Sequence, residues 1–369
     1  WTTVSPRSRQ ASVILAIWAG HWAEAATRQI IPAAALLALL VLPGCGGSTE
    51  PQGPTPLEIV AQGLPPMPIP ATNPTTVEGV ALGRRLFHDR ILSGDMTQSC
   101  ADCHSQKDAF TDNGLRFSVG IDGVKGTRNA PPIMNLGWVP AQFWEGRAPT
   151  LEAQALEPVP NPIEMHLPWP QAEARLAADP EYRQMFQAAF GEGPITRDRA
   201  VMAIAQFERT LSSNNSTFDR IRRLEAEFTE AEQRGFDLFF TEKGDCFHCH
   251  GIPFFSDQLF RNNGLDSVFV DRGREEVTGN PEDLGLFRSP SLRNVEYTAP
   301  YMHDGRFATL EEVLDHYNSG GVWSATVDPL IRVGTGLGLS EQDKADIIAF
   351  IKTLSDPSFL TKSDYGPPN

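Results

Sequence analysis

The chain has 369 residues, 41% of them hydrophobic, and carries 46 acidic against 31 basic side chains, for a net charge of −15 at pH 7. An acid excess of that size excludes nucleic acid as a partner, because a phosphate backbone repels it; it suits a partner with a basic docking face. The length allows one or two domains.

Residues 1–27 show no readable pattern. Arg28 then precedes an apolar run from Ile30 that ends in Leu42-Pro-Gly-Cys45. A basic residue, a short apolar stretch and that tetrapeptide resemble a bacterial lipoprotein signal, which predicts cleavage before Cys45 and lipid attachment to its thiol. A plain secretory signal with an incidental cysteine is the alternative. The run is short for a transmembrane helix. Residues 1–44 are therefore read as a signal region with an over-extended start, and 45–74 as a Pro/Gly-rich tether.

In residues 75–215, a helix ending in Gly83-Arg-Arg-Leu-Phe-His88 leads to Cys100-Ala-Asp-Cys103-His104. Phe110-Thr-Asp112, Arg128-Asn-Ala-Pro131 and the turn Trp144-Glu-Gly-Arg-Ala-Pro-Thr-Leu-Glu152 follow. Apolar positions recur at helical spacing over 170–190 and 196–211. Residues 216–355 repeat this order with Gly235-Phe-Asp-Leu-Phe-Phe240, Cys246-Phe-His-Cys249-His250, Phe255-Ser-Asp257, Arg288-Ser-Pro290 and His303-Asp-Gly-Arg-Phe-Ala-Thr-Leu-Glu311. Thr229 with Glu232 and Thr309 with Glu312 have the spacing of capping boxes, and 340–354 has helical spacing. Residues 258–286, polar and rich in Gly, Asp and Arg, read as a loop over the second unit. The tail, 356–369, reads as loosely held. No alternating run is long enough for a large sheet.

Cys-X-X-Cys-His is the attachment signature of a c-type haem: two thiols add to the porphyrin vinyls and the adjacent His becomes the proximal iron ligand. A zinc site would gather four ligands in one place, whereas these two motifs lie far apart and each has its own His. Cys100, Cys103 and His104 are thus expected to hold one haem, and Cys246, Cys249 and His250 a second. Haem attachment takes place outside the cytoplasmic membrane, which agrees with an export signal and a periplasmic location. The predicted fold is mainly α: two tandem c-type cytochrome domains, one covalent haem each, packed around an interdomain interface.

When the two units are aligned through Trp144 and His303, Pro158 falls opposite Tyr317. Proline has no donor for iron and a tyrosine phenolate does. The first haem is therefore expected to keep an open sixth position and to be the reactive centre, with Tyr317 closing the second. Met302 and His316 are the rival ligands; His316 and Tyr317 point about 100° apart around a helix.

These motifs, with Phe143-Trp-Glu-Gly-Arg147, Gln154, Asn161-Pro-Ile-Glu164 and Thr298-Ala-Pro-Tyr-Met-His-Asp-Gly-Arg306, resemble the bacterial dihaem cytochrome c peroxidase and MauG family over about residues 75–355. The resemblance implies that the first haem is peroxidatic and reacts with hydrogen peroxide, and that the second transfers electrons. It implies that Glu164 and Gln154 line the first haem's distal pocket and that Trp144 relays electrons between the haems. It also implies a calcium ion held by the Asn129 side chain and the carbonyls of Thr298 and Pro300. A buried carboxylate suits proton transfer, and hard oxygen ligands suit calcium. Glu164 as a surface acid, Trp144 as a core residue and Asn129 as a turn former are the plainer alternatives.

Two departures from the peroxidase pattern point toward the MauG branch. Phe117-Ser-Val-Gly-Ile-Asp-Gly-Val-Lys-Gly126 has no histidine where the peroxidases place one that closes the first haem, and Tyr317 stands where they place a methionine. His166 could restore such closure; the proline-bracketed context makes it a surface residue instead. The leading expectation is an enzyme that oxidises a periplasmic protein substrate. The alternatives are a peroxidase fed by a small redox protein and a non-catalytic dihaem carrier.

Overall fold

The computed structural model describes residues 53–368; Cys45 and the signal region lie outside the described residues. In chain order the first half contains α1 (Val77–His88), α2 (Cys100–Cys103), α3 (Leu151–Ala155), α4 (Trp169–Ala178), α5 (Pro180–Phe190) and α6 (Arg197–Thr210). The second contains α7 (Thr217–Arg222), α8 (Glu230–Phe239), α9 (Glu275–Thr278), α10 (Leu310–Ser319) and α11 (Glu341–Lys352), and α12 (Pro357–Thr361) follows. The sheet among the described residues is one antiparallel pair, β1 (Phe260–Arg261) and β2 (Phe287–Arg288), with Phe260 opposite Arg288. The fold is mainly helical, as the sequence indicates.

Capping fixes the helix starts. Thr76 accepts from the Gly79 N–H to open α1, and both predicted capping boxes form, at Thr229/Glu232 and at Thr309/Glu312. The helix predicted over 170–190 is two helices. Pro180 disfavours helical backbone at Asp179, whose carboxylate then accepts from Glu181 and Tyr182 to start α5.

The sequence repeat is a structural one. Gln142 bridges Ala148 in the first half as Tyr301 bridges Phe307 in the second. Asn135 and Asn294, both at positive φ, precede equivalent single 3₁₀ turns. Each Asn side chain accepts a distant backbone N–H, from Ser213 at 3.0 Å and from Asp356 at 2.7 Å respectively.

Among the described residues, burial divides into three clusters. The first gathers Leu82, Leu86, Trp169, Tyr182 and Phe186, and the second Phe236, Phe239, Phe255, Ile347 and Phe350. The third joins Phe87, Phe110 and Phe207 of the first half to Phe359 and Tyr365 of the tail. The tail is therefore not loose. Phe359 and Tyr365 are 1% and 3% exposed, Arg84 Nε donates to Gly366 O at 2.7 Å, and Gln106 donates to the carbonyls of Phe359 and Lys362. Two aromatics in a polar stretch suffice to strap the end of the chain beneath Phe110, where the first motif is held. Part of the tether is also tied down: the Val77 N–H donates to Thr55 O, and the Leu57 N–H to Thr75 O.

Candidate active site

Both Cys-X-X-Cys-His motifs close a local turn through the His N–H to the first Cys carbonyl, at 2.9 Å in each. Each opens on its own cavity. Cys100, Cys103 and His104 line one of about 830 Å³, and Cys246, Cys249 and His250 line another of about 230 Å³. The thiols are thus not gathered into one four-ligand site. His104 Nδ1 lies 2.8 Å from Phe110 O, and His250 Nδ1 lies 3.0 Å from Phe255 O. A carbonyl partner fixes Nδ1 as the protonated nitrogen and leaves Nε2 free for a metal. Phe110 and Phe255 both adopt positive φ, an uncommon conformation for phenylalanine that turns their carbonyls toward the imidazoles. Burial lowers the pKa of both histidines, which keeps them in the neutral, ligating form. The residues fit a covalent haem in each cavity.

The first cavity is also lined by Gln154, Pro158, Asn161 and Glu164, and the segment without a histidine contributes Phe117, Ser118, Val119 and Gly120. The Glu164 carboxyl has its pKa raised, chiefly by burial and against the pull of Asn161 and Arg147; Asn161 Nδ2 donates to its Oε1 at 2.6 Å. His166 is turned away. Its Nδ1 pairs with Asp122 at 2.5 Å at a half-exposed site, and it does not line the cavity. Among the described residues, the histidines that line the first cavity are His104, of the motif itself, and His303.

Trp144 lines both cavities, as do Asn129, Arg288 and His303. Its indole N–H donates to Asn129 O at 2.8 Å, which fixes the ring in the partition. Asn129, Thr298 and Pro300 line the second cavity together, but the Asn129 amide nitrogen donates to the carbonyls of Leu115 and Arg116. Tyr317 and Met302 both line the second cavity, and Asn263 Nδ2 lies 3.4 Å from each donor atom. Burial pushes the Tyr317 phenol up to about 12; bound iron would reverse that by favouring the phenolate. His316 is turned elsewhere: its Nε2 lies 2.9 Å from Asn263 O and it does not line the cavity.

The di-haem cytochrome c peroxidase family profile matches residues 77–227. The chain is 36% identical over 334 residues to cytochrome-c peroxidase IdrP1 of Denitromonas iodatirespirans, covering 82% of this chain and 88% of the relative. It is 38% identical over 299 residues to methylamine utilization protein MauG of Methylorubrum extorquens, covering 80% and 83%. The chain belongs to this family. Among solved structures, it superposes with a TM-score of 0.79 on a MauG-like protein associated with microbial copper homeostasis, at 41% identity, covering 84% of this chain and 98% of that one. Family membership makes it a haem oxidoreductase, implies haem c as cofactor, and implies hydrogen peroxide and a redox protein or protein substrate as partners.

Three features of the site escape the sequence reading. The loop 258–286 reaches the first cavity as well as the second half: Asp266, Val268, Val270, Asp271 and Glu276 line it. Arg128 holds the loop through Asp271 at 2.6 and 2.7 Å, and Arg306 through Asp266 at 2.7 and 3.0 Å. Loop composition says nothing of which wall it covers. Glu208, on α6, also lines the first cavity; it is 3% exposed, its Oε2 has no partner, and burial pushes its pKa up to about 8. An acid at a helical core position was a readable signal. Arg288, on the shared wall, is the third.

Proposed function

We propose that the chain uses hydrogen peroxide in the Glu164 cavity and draws oxidising equivalents through Trp144 and the Tyr317 cavity to oxidise a protein substrate. The reading rests on the asymmetry of the two distal walls: Pro158 and Glu164 with no distal-side counterpart to Tyr317 in one, Tyr317 in the other. When bound, haem supplies the iron that takes peroxide and the orbitals that carry the electrons. In this reading Glu164, its pKa raised by burial and its carboxylate oriented by Asn161, accepts a proton from one peroxide oxygen and returns it to the other. Gln154 orients the peroxide without taking its proton. Trp144, anchored to Asn129 O, carries electrons across the partition. A calcium ion at Asn129, Thr298 and Pro300 would stiffen that partition. Export to the periplasm and a lipid anchor at Cys45 complete the proposal.

One observation favours a second reading. Met302 shares the second cavity and the Asn263 amide with Tyr317. Thioether ligation there would raise the potential and suit a peroxidase that accepts electrons from a small redox protein.

The test is EPR of the diferric protein and of its Tyr317→Phe and Met302→Leu variants, before and after stoichiometric peroxide without reductant. One high-spin and one low-spin haem, both signals lost with peroxide, and a low-spin signal altered by Tyr317→Phe alone is the expected result. Alteration by Met302→Leu alone moves the assignment to the peroxidase reading. Two low-spin haems that react with peroxide only after half reduction would overturn the first reading and move the assignment to a gated peroxidase; two low-spin haems unreactive even then would overturn both.

A further inference from the structure

Arg288 is a buried cation without an anion. Its backbone belongs to β2, lies opposite Phe260, and donates to Trp144 O at 2.7 Å. Its side chain is 8% exposed, Nε has no partner, and no carboxylate or carbonyl among the described residues receives the guanidinium. Desolvation, unopposed, pulls its pKa down to about 10.

Among the described residues, the other two buried arginines, Arg293 and Arg209, and the less buried Arg128 are all answered. Arg293, fully buried, is bidentate to Asp219 at 2.8 and 2.9 Å; Arg209 pairs with Glu152; Arg128 pairs with Glu145 and Asp271. Stripping a guanidinium of water costs several kcal/mol, which an opposite charge must offset. At Arg288 the described residues supply none, yet the residue lines both motif-bearing cavities and a small space beside Trp144.

We infer that Arg288 binds a carboxylate of the covalent cofactors at the wall the two cavities share. The inference rests on the dihaem reading of the two motifs. Haem carries carboxylates, and a planar five-donor fork suits them better than any other cationic side chain. The carboxylate comes from the group held at Cys100 and Cys103 or from that held at Cys246 and Cys249. In either case a fixed positive charge next to Trp144 stabilises the reduced state of the haem it serves, and holds that haem's carboxylate ionised across neutral pH. Arg288 is thus a positioning and tuning residue rather than a catalytic one.

The experiment is a spectropotentiometric titration of the holoprotein and of Arg288→Gln at several pH values, after haem content has been measured. Two haems per chain in the wild type secure the dihaem reading; fewer than two would refute that reading by itself. In Arg288→Gln with two haems, the reduction equilibrium of one haem shifts toward the oxidised form by on the order of tenfold or more, and becomes more steeply pH-dependent as the freed carboxylate titrates. Which haem shifts identifies the carboxylate. Unchanged potentials and pH slopes at both haems overturn the inference. Should the glutamine variant not retain haem, Arg288→Lys decides: retention of two haems with potentials near wild type supports the charge pairing, and equal failure of the lysine variant overturns it.

Discussion

Two glycines set how closely the helices ahead of the two motifs pack on their partners, and substituting them tests the repeat architecture directly. Gly83 on α1 faces α6, and Gly235 on α8 faces α11. A Cβ at Gly83 would lie 1.9 Å from Ala203 O, and one at Gly235 would lie 1.8 Å from Asp346 O, both backbone atoms that cannot rotate away. Ordinary contact begins near 3.4 Å, so each helix pair must open by roughly 1.5 Å to admit a methyl group. Alanine gains about 1 kcal/mol in helix propensity. Overpacking costs about 1–3 kcal/mol or more, and the opened interface forfeits dispersion along its length. The net expectation is about 2 kcal/mol of destabilisation for Gly83→Ala and the same for Gly235→Ala, a fall of several degrees in Tm. Thermal unfolding followed by circular dichroism and by the Soret band measures it, with Gly53→Ala, where the methyl meets nothing, as the control. A Tm unchanged or raised in either variant would refute the claim that backbone contact sets these crossings. A loss in one variant only would show that the halves are not mechanically equivalent.

Glu164→Gln preserves the shape and the contact with Asn161 but not proton transfer; stopped-flow should show peroxide reacting about 10²–10⁴-fold more slowly with resting spectra unchanged, and a rate within threefold of wild type would remove Glu164 from the reaction. Glu208 makes stability depend on pH. Its folded pKa, about 8, lies above the ordinary 4.5, so its contribution is complete below the ordinary value and is lost as pH rises through 8. Urea denaturation should therefore show wild type weakening from pH 5 to pH 9 relative to Glu208→Gln, and parallel pH curves would refute the assignment.

Much of this was legible because it is local. Attachment motifs, capping boxes and the duplicated turn each need only a few neighbouring residues, and all of them appear where the sequence puts them. What stayed hidden depends on contacts between distant segments. Phe359 and Tyr365 look like stray aromatics until Phe87 and Phe110 are seen beneath them. The loop 258–286 shows its second wall only through Arg128 and Arg306, whose partners no spacing rule supplies. Arg288 stands in the sequence repeat as one residue of a matching tripeptide; its meaning lies in the carboxylate it lacks, which sequence does not display.

The same physics accounts for the difference between the halves. α10 runs from Leu310 to Ser319 before stopping at Gly320, and so carries Tyr317 on its wall-facing side. Its counterpart α3 stops at Ala155, two residues ahead of Glu157, whose helical conformation Pro158 disfavours. The chain instead turns there, and the carbonyls of Pro158 and Val159 accept from Met165 and Leu167 at 3.2 and 2.7 Å. That folded-back segment is what brings Asn161 and Glu164 onto the cavity wall. Proline at 158 therefore does more than lack a donor atom. By ending the helix early it replaces the equivalent of Tyr317 with a turn that carries an acid onto the cavity wall; on the reading proposed above, this one difference would leave the first haem's sixth position open and place a proton carrier in its cavity.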